Sequence, residues 1–584
     1  MKKTIVFTFI TAFFVNSAVF PVKPQTLPAD SDSDKFTGKV DKLFAQWDHP
    51  DSPGCALGVI KNEKLIYKRG YGMADLEHGI PITSQSVFDI MSMTKQFTAA
   101  SIMLLVQRGK ISLDDDVRKY VPEVPDFGTP ITIRHLVYHT SGLREEFNMW
   151  ELAGWRWDDI VTESDVFDLL SRTKELNYKP GDEHSYTNTG YSLMAIIVKR
   201  VSGQSLREFA DQNIFKPLGM NQTVFHDDHR MIIKNRAASY HKLKDGGFEI
   251  GPSTLDLPAV FTSVEDLARW DQNFYDKKVG GEEGIRQLVT PGKLNNGQVL
   301  NYGFGLRITK YRGLNAVWHS GAGQGFKTAF MRFPDQHFSV ICLCNLDSID
   351  MDELTEQVAD IYLADKFTEG PRGPVKLTEE QQKKVAELAQ FAKEHFVQIP
   401  ETELSAFTGL YSQPGALFAR HVSVKNGKLM VERAPGIESE LSPTGGNQFL
   451  LMDVPAHIEV SFKAGESNSA MQMTSVVDNG KPLIVTRAGA AATTPEQLSA
   501  YTGNYYSEEL GSAFTLVLKE GKLMLQRRKW ADVELSALYE DVFRNDSNRI
   551  GTLFFARNSA KEVTAFSLTN SDRSIRHLKF TRIN

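Results

Sequence analysis

Residues 92–109 read SMTKQFTAASIMLLVQRG, and the fold of the first half of the chain is inferred outward from this stretch. Apolar side chains dominate its middle and an Arg-Gly pair closes it, which predicts a helix that begins near Ser92. Because residues i and i+3 of a helix share a face, the Ser92 hydroxyl and the Lys95 amine are expected to meet.

A hydroxyl and an amine at this spacing suit nucleophilic catalysis. The serine is a weak nucleophile until a neighbouring base takes its proton, and a partly desolvated lysine can be that base. The helix N-terminus adds backbone N–H groups and positive potential for an anionic intermediate. Since this spacing recurs by chance about two or three times in a chain of this length, further motifs must decide.

Two more polar segments follow in order along the chain. Residues 186–188, YTN, lie in a turn-rich segment directly before a helix predicted over residues 191–201. The phenol of this triplet can relay a proton, and its amide can hold Lys95 and donate to a substrate carbonyl. Residues 319–321, HSG, end a predicted strand, where the glycine would let a substrate backbone approach closely.

The ordered set SMTK, YTN and HSG resembles the three signature motifs of serine β-lactamases, penicillin-binding DD-peptidases and related esterases. HTSGL at 139–143 and TSVEDLA at 262–268 also resemble that family, so the likeness covers about residues 35 to 365. It implies an α+β fold, with a mostly antiparallel sheet flanked by helices, a helical subdomain, and the active site between them. An α/β-hydrolase elbow is excluded, because Trp318 stands where the glycine before Ser320 would be.

By the same resemblance, Ser92 is the acylated nucleophile, while Lys95 and Tyr186 manage protons during acylation and deacylation. The backbone N–H groups of Ser92 and Ala322 would form the oxyanion hole. The residues implied in substrate binding are Asn188, His319, Gly321 and Ala322.

One position departs from the family pattern. Many members have lysine where this sequence has His319, and a histidine can be neutral at pH 7, so the cleft is expected to be less cationic. That weakens the case for a substrate whose carboxylate is held there, although Arg307 is a candidate substitute. The acidic loop segment HDDH at 226–229 is expected to be solvated, and neither a metal site nor a cofactor is predicted.

The last 180 residues contain a duplication. LSAFTGLY at 404–411 returns as LSAYTGNY at 498–505, and NGKLM at 426–430 returns as EGKLM at 520–524, both 94 residues later. Each copy is expected to form a small all-β barrel or sandwich, and such a tail is similar to that of bacterial D-aminopeptidases. The predicted division is a signal peptide 1–18, a catalytic domain 35–368, a linker and helix 369–400, and β domains 401–490 and 495–584.

The duplicated region carries no nucleophile–base set of its own. It is therefore predicted to restrict access to the Ser92 cleft, the alternative being cell-wall binding or stabilisation of the first domain. Trp150, Trp155 and Trp157 cluster near the helical subdomain and either wall a pocket or pack a long connection.

Charge and the N-terminal sequence bear on partners and location. The chain has 72 acidic against 66 basic side chains, so it lacks the surplus of basic groups that nucleic-acid binding needs. Two lysines, an apolar run over residues 5–15 and the small residues Ser17 and Ala18 are typical of a secretory signal. The sequence therefore predicts export to the periplasm or medium, with no transmembrane anchor left after cleavage.

Only three cysteines occur, each in an apolar strand-like segment. Cys55 could meet Cys342 or Cys344 across a sheet, whereas the latter two share one strand face and cannot easily bridge each other. Buried free thiols are the favoured interpretation.

The predicted activity is that of a serine hydrolase on small peptide or amide substrates, of the D-aminopeptidase or DD-peptidase type. The alternatives are a carboxylesterase or a β-lactamase and, outside enzymes, a β-lactam or cell-wall sensor that is acylated without turnover. Small peptides, amides or esters are the expected partners, with peptidoglycan fragments as a further candidate.

Overall fold

The structure is a computed structural model of the 584-residue chain. It describes residues 33–252, 256–371, 378–413, 419–434, 437–464, 470–545 and 550–583. The predicted signal peptide and the Gly373-Pro374 part of the predicted linker lie outside these ranges. Within them, no helix combines the length and the apolar character needed to cross a membrane.

Thirteen strands lie in the described part of the first domain. They are β1 Cys55–Lys61, β2 Lys64–Tyr71, β3 Met73–Asp75, β4 Ile80–Pro81, β5 Phe88–Asp89, β6 Val224–His226, β7 Tyr240–Lys242, β8 Phe248–Ile250, β9 Ala259–Thr262, β10 Arg307–Tyr311, β11 Leu314–Gly323, β12 Phe326–Phe333 and β13 Phe338–Cys344. Six of them form one antiparallel sheet in the order β10-β11-β12-β13-β1-β2. The central strands β1 and β13 are almost fully buried, which explains their unbroken apolar sequences.

Helices cover both faces of this sheet and form a separate helical subdomain. They are α1 Ser33–Phe44, α2 Lys95–Gln107, α3 Ile133–Val137, α4 Glu146–Leu152, α5 Glu163–Arg172, α6 Thr189–Ser202, α7 Leu206–Ala210, α8 Lys216–Leu218, α9 Val264–Asp276, α10 Gly281–Leu288 and α11 Met351–Tyr362. Alternate residues of β1 face α1 and α11 on one side and α9 on the other. The α+β fold implied by the resemblance is confirmed.

Two strand boundaries differ from the sequence prediction. The strand predicted to begin at Gly303 begins at Arg307, because Gly305 has a positive φ of 70° and packs against the first turn of α2. An added Cβ at Gly305 would lie 2.5 Å from the Gln96 nitrogen. The strand predicted to end with HSG continues to Gly323.

The cysteine prediction is wrong for two of the three residues. Cys55 and Cys344 stand directly opposite each other on β1 and β13, and they form a disulfide. Cys342 faces Leu57 in the register and remains a buried free thiol, whose pKa burial raises to about 12. Strand register therefore selects the pair, and the sequence alone does not contain that register.

Two closed eight-stranded antiparallel barrels form the C-terminal region, as the duplication predicts. The first contains β14 Gly409–Ser412, β15 Arg420–Lys425, β16 Lys428–Ala434, β17 Ile437–Gly445, β18 Gln448–Leu451, β19 Ile458–Lys463, β20 Gln472–Val477 and β21 Leu483–Arg487. The second contains β22 Gly503–Ser507, β23 Ser512–Lys519, β24 Lys522–Gln526, β25 Val533–Tyr539, β26 Val542–Asn545, β27 Gly551–Arg557, β28 Val563–Thr569 and β29 Leu578–Ile583. Helices α12 Glu379–Glu394, α13 Glu401–Leu404 and α14 Pro495–Ser499 precede the barrels.

The repeated Gly-Lys-Leu-Met segments have the same role in both barrels. Asn426-Gly427 and Glu520-Gly521 each join two strands with positive φ at both residues, 53° and 72° in the first and 51° and 75° in the second. Such a pair forms a tight hairpin that matches the strand twist, which explains the glycine at the second position.

Loss of the disulfide is expected to lower the free energy of unfolding by about 2–4 kcal/mol, because the bridge restricts a long loop of the unfolded chain. Denaturant unfolding of Cys344→Ala against wild type measures this. In peptide mapping without reductant, the Cys55 cross-link should disappear in Cys344→Ala and persist in Cys342→Ala. A cross-link that disappears only in Cys342→Ala would contradict the assignment.

Candidate active site

Ser92 lies in a 3₁₀ turn, Met91–Thr94, that leads directly into α2. Met91 adopts a left-handed φ of 50°, and its N–H donates to Asp89 Oδ1 at 2.8 Å. Burial raises the pKa of Asp89 to about 7. The turn thus has a fixed, strained entry, a feature that is often found at functional sites.

Lys95 lies in the first turn of α2 and is only 5% exposed. Its Nζ is 3.4 Å from Ser92 Oγ and 2.6 Å from Asn188 Oδ1. The same nitrogen lies over the rings of Tyr186 and Tyr191, at 4.9 and 5.5 Å from the centroids. Aromatic faces attract cations, so the two rings suit an amine at this position.

Glu145 orients the Asn188 amide. Its Oε2 accepts from the Asn188 backbone N–H at 2.6 Å and its Oε1 accepts from Asn188 Nδ2 at 2.8 Å. Because the amide nitrogen is occupied there, the amide oxygen faces Lys95. Glu145 lies two residues after the HTSGL segment and is buried.

Tyr186 belongs to a cluster of aromatic rings behind Lys95. Its ring centroid is 4.3 Å from that of His139 and 6.2 Å from that of His319, and its buried Oη has no hydrogen-bond partner among the described residues. His139 Nδ1 accepts from the Thr187 backbone N–H at 3.2 Å. A phenol without a partner in the described part of the chain, on a ring that lies beside the lysine, suits a proton relay.

His319 is 2% exposed, and both of its ring nitrogens have protein partners. Nδ1 donates to the Ser320 carbonyl at 2.6 Å, and Nε2 accepts from Tyr302 Oη at 3.1 Å. Burial, with a smaller contribution from Lys95, lowers the pKa of His319 to about 3, so the ring is neutral. A substrate contact through Nε2 would therefore have to replace the Tyr302 bond.

Arg307 lies on the opposite face of the sheet from His319. It pairs with Trp318 across β10 and β11, and its guanidinium is 5.3 Å from the Trp318 ring centroid. Cross-strand partners share a face, and neighbouring residues of a strand point to opposite faces. The geometry therefore does not favour Arg307 as a substitute for the lysine of other family members.

The structure gives a packing reason for the glycine at position 321. An added Cβ there would lie 2.3 Å from the Ile90 carbonyl and 2.8 Å from Met91 Cβ, so the missing side chain lets β11 pack against the turn that carries Ser92. The next residue, Ala322, is exposed and lines the same cavity as Ser92. This position is compatible with the predicted oxyanion hole.

The cavity beside Ser92 has a volume of about 160 Å³. Its walls combine polar catalytic candidates with apolar side chains, and the described lining residues are Met91, Ser92, Thr94, Lys95, Thr98, Glu146, Phe147, Trp157, Asn188, Tyr191, Ser192, Ala195, Leu257, Pro258, Ala259, Ala322, Gly323 and Gln324. They all come from the first domain, so the suggested restriction of access by the barrels stays a prediction. Trp157 lines the cavity, whereas Trp150 and Trp155 pack into the core.

Glu146 places a fully buried carboxyl in this cavity wall. Ser192 Oγ donates to its Oε1 at 2.7 Å, while Oε2 has no hydrogen-bond partner among the described residues. Burial, followed by the neighbouring charge of Glu145, raises the pKa of Glu146 to about 8. An unsatisfied buried carboxyl is costly, which points to a ligand that satisfies it.

Comparison with known proteins identifies the family of the first domain. The family model described as Beta-lactamase matches residues 40–363, more than half of the chain. The chain belongs to the beta-lactamase family. It is a serine hydrolase of that superfamily, and the resemblance seen in the sequence is confirmed.

Curated relatives cover more of this beta-lactamase-family chain. Penicillin-binding protein 4* of Bacillus subtilis (strain 168) is 28% identical over 422 residues, which are 69% of this chain and 88% of the relative. A D-aminopeptidase of Gluconobacter oxydans (strain 621H) is 24% identical over 535 residues, which are 86% of this chain and 91% of the relative. An octameric penicillin-binding protein homologue from Pyrococcus abyssi aligns over 86% of this chain and 99% of its own, with 20% identity and a TM-score of 0.49.

The structure brings together the sequence-predicted Ser92, Lys95, Tyr186 and Asn188, with His319 behind them. Sequence reasoning missed Glu145, Glu146 and Tyr302 as parts of the site. The signal for the first two was the pair of acidic residues that follows HTSGL after Arg144. No local pattern marks Tyr302.

The acidic segment 226–229 near β6 is partly buried and paired, so the prediction of a solvated loop is wrong. His229 Nδ1 lies 2.9 Å from Asp256 Oδ1, and Arg230 donates to both oxygens of Asp228. These three ligand-type side chains, Asp228, His229 and Asp256, lie close together. The sequence-based expectation of no metal stays a prediction.

The raised pKa of Glu146 makes the free energy of unfolding depend on pH. Below about pH 4.5 the carboxyl is neutral in both the folded and the unfolded state, so its burial adds no charge-related cost. As the pH rises to about 8, the unfolded chain ionises this group first, and the folded state becomes less stable. Glu146→Gln should therefore gain stability relative to wild type between pH 5 and pH 8.5, measured by urea unfolding. Glu163→Gln, an exposed carboxyl on α5, is the matched control. Parallel wild-type and Glu146→Gln curves would contradict the assignment.

Proposed function

We propose that this hydrolase forms an acyl-enzyme on Ser92 and cleaves small amides or peptides that carry a free amino group, of the D-aminopeptidase type. The observation that carries the proposal is the cavity in which Ser92 and Lys95 share walls with the buried Glu146 carboxyl. A substrate ammonium would supply the partner that Glu146 Oε2 lacks. Its positive charge would lower the pKa of the carboxyl, so that an ion pair forms in a water-poor wall.

The proposed reaction begins when Lys95, in its neutral form, takes the proton of Ser92 Oγ as the oxygen attacks the scissile carbonyl. Asn188 keeps Nζ in place at 2.6 Å during this step. The carbonyl oxygen becomes an oxyanion held by the N–H groups of Ser92 and Ala322. When the C–N bond breaks, the proton held by Lys95 passes through Tyr186 Oη to the leaving amine. Lys95 then takes a proton from the attacking water and returns it to Ser92 Oγ as the ester bond breaks and the acid is released.

The charge of the site supports an amine over a carboxylate as the recognised group. His319 is neutral, Arg307 stacks on Trp318 outside the cavity lining, and the carboxyl of Glu146 lines the cavity. Among the described lining residues Lys95 is the only cation, which disfavours DD-carboxypeptidase and β-lactamase activity. The preference for a D-residue is supported by the name of the Gluconobacter oxydans relative.

A carboxylesterase is the second candidate. Phe147, Trp157 and Leu257 give the cavity an apolar wall, and the neutral His319 does not require a charged group on the substrate. A short-chain acyl group would bury apolar surface there.

Export, which the N-terminal sequence supports, remains part of the proposal. Action on peptidoglycan fragments also remains part of it.

Ser92 is expected to take the label of a fluorophosphonate, located by peptide mass spectrometry. Ser92→Ala should lose the label, and Ser92→Ala or Tyr186→Phe should lower kcat by several powers of ten, because both groups act in one catalytic unit. Full labelling of Ser92→Ala would refute the acyl-enzyme on this residue. A stoichiometric burst without steady release would instead identify a sensor.

Glu146→Gln should lower kcat/KM for a D-alanine amide by about 100-fold, because the ammonium loses its charged partner. On a neutral short-chain ester, the same variant should stay close to wild type. Glu163→Gln is the control on both substrates. Equal losses on amide and ester would contradict amine recognition by Glu146, and steady ester turnover without amide turnover would favour the carboxylesterase.

A further inference from the structure

The second barrel contacts the segment that immediately precedes α4. Its residues Glu509, Ser574 and Arg576 meet Arg144 and Glu145 of the first domain. The barrel interior also joins the hydrophobic cluster of the helical subdomain, whereas the first barrel has a cluster of its own. The second barrel therefore packs directly against the catalytic domain.

A buried ion pair lies at the centre of this contact. The side chains of Arg144 and Glu509 are 2% and 7% exposed, with Nε to Oε2 at 3.1 Å and Nη2 to Oε1 at 3.3 Å. Arg144 Nη1 donates to the Arg576 carbonyl and to Asn177 Oδ1. The guanidinium is thus held on all three nitrogens. Breaking such a pair leaves an uncompensated buried charge.

The turn between β28 and β29 supplies backbone partners. The Ser574 carbonyl accepts from the Glu145 backbone N–H at 3.2 Å and from Asn177 Nδ2 at 2.7 Å. Asn177 Oδ1 accepts in turn from the Arg576 backbone N–H at 2.9 Å. These bonds fix the main chain of the Arg144-Glu145 segment from the barrel side.

The same segment is held from the active-site side by the start of α6. Thr189 Oγ1 donates to the Arg144 carbonyl at 2.6 Å, and the Glu145 carboxylate binds both the backbone and the amide of Asn188. Asn188 then contacts Lys95. A continuous series of hydrogen bonds therefore runs from the second barrel to the lysine.

We propose that the second barrel positions the active site, with Glu509 acting through Arg144 and Ser574 acting through Glu145 to hold Asn188 against Lys95. The proposal rests on the proposed roles of Ser92 and Lys95. Glu509 does not line the cavity, so it is a positioning residue. A purely adhesive interface would be served by apolar contacts and by exposed pairs such as Lys529 with Asp159. A desolvated, fully bonded ion pair contributes more to geometry than to adhesion.

The test uses Glu509→Gln in the full chain. The number of functional sites is counted from the stoichiometry of fluorophosphonate labelling. The constants kcat and KM are then measured on a short-chain ester. We expect kcat per counted site to fall about 10- to 100-fold with little change in KM, because misplacing a catalytic group by a fraction of an ångström to 1 Å slows the chemical step. Lys529→Gln removes an ion pair from the same interface and should keep the wild-type kcat.

A coupling measurement separates positioning from a general structural role. If Glu509 acts through Asn188, adding Glu509→Gln to Asn188→Ala should lower kcat by less than about twofold. A merely structural effect would lower kcat by the same factor in both backgrounds, and that result overturns the proposal.

A milder variant covers the case in which Glu509→Gln yields no countable sites. Asn177→Ala removes the bonds to Ser574 and Arg576 and leaves the ion pair. An unchanged kcat per site in this variant would then overturn the proposal, and a lowered one supports it. If wild-type Ser92 takes no label, the proposed function fails and this proposal with it, whereas wild-type labelling with an unchanged Glu509→Gln kcat refutes the positioning role alone.

Discussion

The arrangement of the site depends on a buried amine, Lys95, and on the hydrogen bond of 2.6 Å that it donates to Asn188. An amine that has left water needs acceptors and electron-rich faces close by, and Asn188, Ser92 and the Tyr186 ring supply them. Because the Asn188 oxygen must face the lysine, its nitrogen needs another acceptor, and Glu145 provides it. The contact between Lys95 and Asn188 thereby determines where Glu145 must lie.

The polarity of the cleft follows from two buried groups. His319 is kept neutral by burial, with a smaller contribution from the charge of Lys95, so it adds no positive charge. Glu146 adds a carboxyl to the cavity wall in place of a cation. A lysine at position 319 would add a positive charge that attracts carboxylates, whereas the present pair adds none.

The two barrels show how duplicated sequences acquire different surroundings. Both keep the 94-residue repeat in their interior and hairpin positions, and both close in the same strand order. Their outer surfaces differ. The second barrel presents Glu509 and the carbonyl of Ser574 to the helical subdomain, and its apolar core merges with that subdomain, while the first barrel keeps a separate core. Interior periodicity specifies a barrel, and the exterior residues specify what it binds.

The sequence alone determined the features that depend on neighbours along the chain: Ser92 ahead of a helix with Lys95 on the same face, the loop that carries Tyr186, and two copies of an all-β unit. Helical and strand periodicity are local, so these could be predicted. Only the tertiary structure decided that Cys55 bonds to Cys344, that Gly321 makes room for Ile90 and Met91, and that Arg144 meets Glu509. These pairs join residues hundreds of positions apart, and they depend on strand register and domain docking, which no local pattern contains.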